Sequence, residues 1–167
     1  MQEGFSKPRI GLARKIARKL LKDADINNYP VLLKKIAKSV PELYIDGKEL
    51  KDGISGLQAT YRGVSFIRYN IKHSLKRNRF TVAHELGHLM LGHTVKPGRI
   101  NLQSSDSKEI EANQFAAELL MPLQMLKKAI SDFGTVDDLA KAFWVSCDAM
   151  SWRVIETGIY KSLNSWV

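Results

Sequence analysis

The sequence contains a single cysteine and no long apolar run. Among its 167 residues, Cys147 is the only cysteine, which excludes an intramolecular disulfide and a cysteine-rich zinc module and favours a reducing compartment. No apolar run approaches the roughly 18 residues of a membrane span, and the basic N-terminal segment lacks the apolar core of a signal peptide. We therefore expect a cytoplasmic protein that is neither exported nor membrane-spanning.

Internal repeats and low-complexity tracts are also missing from the sequence. The composition, with 44% hydrophobic and 26% charged residues, is that of an ordinary folded protein. A chain of this length suits one domain, residues 1–167, and excludes two large ones. Four consecutive parts are predicted within it: a basic helical segment 1–40, a small sheet 43–70, a pair of helices within 77–122, and further helices in 123–158.

Positive charge is concentrated in two stretches. The net charge is +9. Residues 1–38 hold ten basic and three acidic residues, a net +7, and the remainder holds sixteen and fourteen, a net +2. A second basic stretch spans residues 62–79. Such charge suits an acidic partner surface or a nucleic acid. The solvated face of amphipathic elements is the favoured explanation, because no aromatic or sequence-reading motif accompanies the charge.

Helical spacing of apolar residues dominates both ends of the chain. At the N-terminus it predicts an amphipathic helix from Pro8 to about Asp23, expected to pack on the protein rather than on a membrane, and a short helix over 31–40 that Pro41 stops. Beyond the sheet, the same spacing predicts helices over residues 78–91, 107–120, 123–132, 136–143 and 147–157, with a main loop over 96–107.

Residues 43–70 have a different texture, with glycines between short aromatic and β-branched runs. The clearest strand pair, 57–61 and 64–69, is joined by Arg62-Gly63, where glycine allows the positive φ of a tight hairpin turn. We expect a small antiparallel sheet before the helices, and thus a mainly helical α+β fold.

The motif with the clearest chemical meaning is His-Glu-x-x-His, formed by His84, Glu85 and His88. Histidines at i and i+4 lie on one helix face, so that two imidazole nitrogens reach one cation. Glu85 is rotated to their side, where it suits proton transfer from water better than ligation. Gly87 leaves room for a close neighbour. The predicted ion is zinc, whose catalytic sites usually have three protein ligands.

Spacing alone leaves the third ligand open. The pattern that places glycine three and histidine six residues after the second histidine fails, since Gly92 and His93 are each displaced by one. A glutamate from helix 107–120 is the alternative. Glu109 has a competing explanation, as a capping partner of Asp106. Glu111 points along a core-facing side where a buried acid needs a cation, and a helical wheel does not separate the two.

Residues 79–93 together with residues 109–122 resemble the ImmA/IrrE family of metallopeptidases. The resemblance implies a single zincin-like metallopeptidase domain with zinc held by His84, His88 and Glu111, and with Glu85 as the general base. It further implies an association with phages or mobile elements or with stress-responsive regulation, and a protein substrate, typically a helix-turn-helix repressor of the Xre class, whose cleavage relieves repression.

Two other functions remain open at this point. Residues 139–158 weakly resemble a helix-turn-helix, which would suit a DNA-binding regulator. However, Trp144 occupies the turn where glycine is usual, and Arg153 is the only base of the second helix beside Asp148 and Glu156, a poor match for phosphates. The other alternative is a protein that sequesters a repressor without turnover. The intact Glu85 argues against it, because only turnover requires that residue.

Overall fold

The computed structural model describes residues 7–93 and 106–162, so that most of the predicted loop 96–107 lies outside the described residues. Seven α-helices, three strands and a final 3₁₀ turn are found in these residues. In chain order they are α1 (Ile10–Asp23), α2 (Leu33–Ser39), β1 (Leu43–Lys48), β2 (Gly56–Tyr61), β3 (Val64–Asn70), α3 (Leu75–Met90), α4 (Ser107–Leu120), α5 (Leu123–Ala129), α6 (Val136–Phe143), α7 (Cys147–Thr157) and the 3₁₀ turn Ile159–Ser162. The predicted mainly helical α+β fold is confirmed.

The hairpin of β2 and β3 forms as predicted. Arg62 and Gly63 make a two-residue turn with φ of 50° and 83°, the left-handed pair of a type I′ turn, which matches the twist of the flanking strands. Gly63 adopts its positive φ without strain, whereas a residue with a side chain would be strained in this conformation.

The sheet is mixed rather than wholly antiparallel, which corrects the sequence-based expectation. Its strand order is β1-β3-β2, and β1 runs parallel to β3, with Leu43 opposite Ser65. The connection 49–55 crosses the end of the sheet to reach the far edge. Asn70 holds this crossing: it is buried, its amide donates to the carbonyl of Ile54 at 3.0 Å, and its side-chain oxygen accepts from the backbone of Lys72 at 3.1 Å.

Helices α3 and α4 lie at the centre of the fold. Every residue of α3 from 81 to 88 and of α4 from 111 to 120 is buried. At their crossing, a Cβ on Gly87 would lie 3.1 Å from the ring of Phe115 and 3.2 Å from the Cα of Ala112. The two backbones therefore approach closely because position 87 carries no side chain, as the sequence predicted.

Helix α1 packs against α4 and uses much of its positive charge there. Its apolar face, Ala13, Ala17, Leu20 and Leu21, is buried. Along the contact, Arg14 donates to the Gln114 side chain at 2.8 and 2.9 Å, and the Arg18 guanidinium lies 3.5 Å from the Glu118 carboxylate. The predicted packing of this helix on the protein is confirmed, and its basic side chains are in part structural.

Helices α6 and α7 form the helix-turn-helix-like unit. Trp144 takes the left-handed conformation at the turn, with φ of 56°. Arg153, the only base of α7, is fully buried: it pairs with Glu118 of α4 and donates to the carbonyl of Met121 at 3.2 Å. A side chain held in this way does not reach DNA, so α7 presents no basic group to a phosphate backbone.

Within the described part of the chain, no helix has both the length and the apolar character needed to cross a membrane.

Candidate metal centre

His84 and His88 lie on consecutive turns of α3 and converge. Both are buried, at 2% and 1% exposure, and their Nε2 atoms are 3.0 Å apart. Two ligands of a tetrahedral zinc ion bound at 2.0–2.1 Å are roughly 3.3 Å apart. The pair is therefore already close to the separation that one shared cation requires.

The carboxylate beside the two histidines belongs to Glu109. Its Oε2 lies 3.3 Å from Nε2 of His84, and its Oε1 lies 3.2 Å from Nε2 of His88. One ligand atom from each of the three residues falls within 4.8 Å of the others. Hydrogen bonds with the two imidazoles hold the pKa of Glu109 well below its usual range, so this carboxylate is ionised at neutral pH.

Glu111, the third ligand that the resemblance implied, does not lie at the histidine pair in this structure. It accepts hydrogen bonds from the backbone N–H of Arg9 at 2.8 Å and from its guanidinium at 2.8 and 3.0 Å. Burial raises the pKa of Glu111, but these bonds and one with His93 outweigh it and lower the pKa to about 2. The buried acid does have a cation, but that cation is an arginine.

The sequence left Glu109 behind Glu111 as a candidate ligand because a helix cap offered another role for Glu109. Asp106 does cap α4, accepting from the backbone N–H groups of Lys108 at 2.7 Å and Glu109 at 3.4 Å. The cap and the candidate ligand are compatible, because the cap uses the backbone of Glu109 while its carboxylate lies beside the histidines. Residue 109 is two positions from 111, a rotation of about 200° around the helix.

Each candidate histidine ligand is held through its other ring nitrogen. Nδ1 of His84 lies 2.9 Å from Oδ1 of Asn113, and Nδ1 of His88 lies 3.0 Å from Nδ1 of His93. An amide oxygen only accepts, so His84 donates to it from Nδ1, which leaves Nε2 as the nitrogen that faces Glu109 and a cation. Hydrogen bonds of this kind fix the tautomer and orientation of metal-binding histidines.

A chain of hydrogen bonds connects His88 to the N-terminal segment. Nε2 of His93 lies 2.9 Å from Oε2 of Glu111, which Arg9 holds. If His93 donates to this carboxylate, its Nδ1 is free to accept from Nδ1–H of His88, and every group finds a suitable partner. Glu111 thus acts on His88 from a distance, through His93. From the sequence alone, His93 is only a position displaced by one from the extended histidine pattern.

Glu85 lies next to this cluster but does not belong to it. It is 6% exposed and packs beneath β2, where a Cβ on Gly56 would lie 3.3 Å from Cγ of Glu85. Burial raises the pKa of Glu85 to about 7, an effect that nearby His88 partly offsets and Glu109 reinforces. A carboxyl group with this pKa can both accept and release a proton near neutral pH.

Two histidines and one glutamate form a donor set that suits zinc. Imidazole nitrogen and carboxylate oxygen are both zinc ligands, and two histidines with a glutamate occur in catalytic zinc sites that keep one position open. The side chain of Glu109 is 25% exposed, so the cluster borders solvent on this side. The residues present therefore fit a catalytic ion rather than a fully enclosed structural one.

Much of the second basic stretch is paired within the fold. Arg68 forms a two-pronged bond with Asp46 at 2.6 and 2.8 Å, and Lys72 lies 2.6 Å from Glu49. Arg79 is buried and donates to the carbonyl of Val31 at 2.9 Å. These pairs support the structural explanation of this charge over a nucleic-acid surface.

Comparison with known proteins points in the same direction as this geometry. The sequence model of the IrrE N-terminal-like domain, a peptidase family, matches residues 48–154, a stretch that contains the histidines and the three glutamates of α4 but not Arg9. Uncharacterized immunity region protein 2 of Bacillus phage phi105 is 31% identical over 106 residues, an alignment that covers 49% of this chain and 67% of the phage protein.

Proposed function

The chain belongs to the IrrE N-terminal-like peptidase family, and from this we propose that it is a zinc-dependent endopeptidase. The observation that carries the proposal is the convergence of His84, His88 and Glu109 beside a buried Glu85. The three converging residues would hold the ion. A bound zinc ion supplies Lewis-acid chemistry: it polarises a carbonyl and makes water nucleophilic near neutral pH.

Glu85 is the proton carrier of the proposed reaction. Its carboxylate takes a proton from the attacking water and passes it to the nitrogen of the leaving amine. The pKa of about 7 that burial gives this group supports both halves of the transfer. Asn113 and His93 hold the two histidines in orientation through their Nδ1 atoms.

An extended peptide is the substrate shape that the surroundings favour. β2 is an edge strand, and no described strand pairs with its outer side. Its first residue, Gly56, lies against Thr81 and Glu85 of α3. A substrate segment that adds to this edge would form main-chain hydrogen bonds and pass close to the proton carrier.

The proposed substrate is a helix-turn-helix repressor of the Xre class, and its cleavage would relieve repression. The support comes from the family and from the phage relative, whose name places that relative in an immunity region. Direct DNA binding through α6 and α7 is the weaker alternative, because the only base of α7 is buried against Glu118.

Co-expression with a helix-turn-helix repressor encoded beside the gene tests this proposal. The wild-type protein should remove the full-length repressor, and Glu85→Gln should leave it intact while keeping a full equivalent of zinc. Glu49→Gln, an exposed glutamate of the same chain, is the matched control and should cleave normally. Equal cleavage by wild type and Glu85→Gln would exclude Glu85 as the base.

The same experiment distinguishes sequestration of the repressor from its cleavage. A sequestering protein would relieve repression without fragments and equally well as Glu85→Gln, whereas a peptidase produces fragments only with Glu85 intact. A salt-dependent association with duplex DNA would instead favour the regulator.

A further inference from the structure

A groove of about 890 Å³ lies between α2, the sheet and the first half of α3. Its apolar walls include three large side chains that are strongly exposed: Leu32 at 45%, Ile71 at 56% and Leu75 at 69%. Clustered apolar side chains of this size on a protein surface are typical of interaction sites. None of the candidate metal ligands lines this groove, so it is separate from the metal centre.

The groove is also positively charged, and the residues that line it include no acid. Lys34, Lys35 and Lys38 of α2 contribute three cations, whereas Arg79 of α3 also lines the groove but is buried and bonded to the carbonyls of Val31 and Trp144. The three lysines are exposed, and no carboxylate among residues 7–93 and 106–162 lies within salt-bridge distance of them. They therefore differ from Arg68 and Lys72, whose charges are paired within the fold.

Helix α3 contributes residues to both the groove and the metal centre. Arg79 and Val82 line the groove, and His84 follows Val82 by two residues on α3. At 1.5 Å per residue, the distance along the helix from Arg79 to His88 is roughly 14 Å. Position 84 lies about 200° around α3 from position 82, so the histidines and the groove are on opposite sides of the helix. Roughly eight extended residues would connect a segment bound in the groove to the metal centre.

We propose that this groove docks an acidic, apolar-faced segment of the protein partner and so selects the substrate before cleavage. The proposal rests on the proposed peptidase function and adds a recognition site to it. Charge complementarity supports a peptide as the occupant: the three lysines are spread over more than a turn of α2, which a segment with several carboxylates can match. A fatty acid carries only one charge, and a nucleic acid offers no apolar side chains to the groove.

Binding of a synthetic peptide tests the groove without any cleavage. The probe is a fluorescein-labelled peptide of about 14 residues, or four helical turns, with leucine on one face and glutamate on the other. Two companion peptides replace glutamate with lysine or leucine with serine. Zinc-loaded Glu85→Gln protein should bind the leucine–glutamate peptide at least about tenfold more tightly than either companion.

Charge-matched variants locate the binding. Lys34→Glu, Lys35→Glu and Lys38→Glu together should weaken binding of the probe at least about tenfold. Lys22→Glu, Lys127→Glu and Lys128→Glu together change the net charge equally at exposed positions outside the groove, and should change binding less than about twofold. Leu75→Ser should weaken binding without affecting folding, because Leu75 is exposed. Equal loss in both triple variants, or tighter binding of laurate or duplex DNA than of the probe, would overturn the proposal.

A repressor-cleavage assay distinguishes the docking proposal from the peptidase proposal on which it rests. The groove triple should lower kcat/KM for the repressor, mainly through KM, while leaving kcat near that of wild type. If wild type cleaves and the groove triple cleaves equally well, the docking proposal fails and the peptidase stands. If wild type cleaves no repressor but the probe binds through the three lysines, the peptidase fails and the groove remains a docking site.

Discussion

Two carboxylates of α4, only two residues apart, have opposite surroundings. Glu111 is enclosed by the guanidinium and backbone of Arg9, which neutralise its charge and satisfy its oxygens. Glu109 has only imidazoles as ion-pair partners among the described residues, where no arginine or lysine neutralises its charge. A buried acid with its own arginine is a structural element, whereas an ionised acid facing two histidines is suited to hold a cation.

Glu118 extends the comparison along the same helix. Like Glu111 it is buried, and like Glu111 it is paired with arginine, in this case the fully buried Arg153. Helix α4 therefore carries one acid that is suited to a metal and two acids that join α1 and α7 to the core.

Removal of the Glu109 charge should have the largest effect on metal binding. Glu109→Gln is expected to lower zinc affinity by about 1,000-fold or more, because an anionic ligand is lost. Glu111→Gln should lower it only about tenfold, since it acts through His93. Competition with a chromogenic zinc chelator measures both. A larger loss for Glu111→Gln than for Glu109→Gln would reverse the comparison.

Glu118 should matter for folding and not for the metal. Glu118→Gln leaves Arg153 as a buried charge with a weakened partner, and breaking such a pair costs about 3–5 kcal/mol. The free energy of unfolding, measured by urea titration, should fall by an amount of this order, while zinc stoichiometry at low temperature stays at one. An unchanged free energy of unfolding would show that the Glu118 carboxylate does not stabilise the buried Arg153.

In metal-free protein, the contributions of Glu85 and Glu111 to the free energy of unfolding should change with pH in opposite directions. Because burial raises the pKa of Glu85 to about 7, its ionisation costs stability as the pH rises from about 4.3, its unfolded value. Glu85→Gln should therefore become more stable than wild type across this window, by about 1–3 kcal/mol at pH 8.

Glu111, with its pKa lowered to about 2, stabilises above pH 4.3 and loses that contribution as the pH falls towards 2. The difference in the free energy of unfolding between wild type and Glu111→Gln should accordingly become smaller below pH 4. Urea titrations between pH 3 and pH 8 measure both trends. Parallel pH profiles for the two variants would contradict the contrast between these carboxyl groups.

His93 should have the smallest effect, through the orientation of His88. His93→Phe removes the acceptor for Nδ1–H of His88 and should weaken zinc binding about tenfold. His93→Gln offers an amide oxygen instead and should restore part of the loss. The visible spectrum of the cobalt-substituted protein should shift in His93→Phe and return towards wild type in His93→Gln. Identical spectra in all three would exclude a positioning role.

Local patterns predicted the elements of this fold because local chemistry determines them. The hairpin depends on two turn residues, and the histidine pair depends on the period of a single helix, so a short stretch of sequence contains the whole cause. The parallel pairing of β1 with β3 depends instead on how residues 49–55 cross the sheet, which the spacing of apolar residues within strands does not encode.

Spacing along the chain could not separate Glu109 from Glu111 for a similar reason. Glu111 is a buried acid with a cation, as expected, but that cation, Arg9, lies 102 positions away in the sequence. Only the packing of α1 on α4 brings the two together. The cap at Asp106 also suggested that Glu109 acts as a capping partner. That cap uses only the backbone N–H of Glu109, so the carboxylate of Glu109 is available to a cation.

Anomalous diffraction at the zinc edge from crystals of zinc-loaded protein would show directly which residues hold the ion. We expect one peak about 2.0–2.2 Å from Nε2 of His84, Nε2 of His88 and a carboxylate oxygen of Glu109, with Glu111 still bound to Arg9. A peak coordinated by Glu111, or no peak between the two histidines, would contradict it.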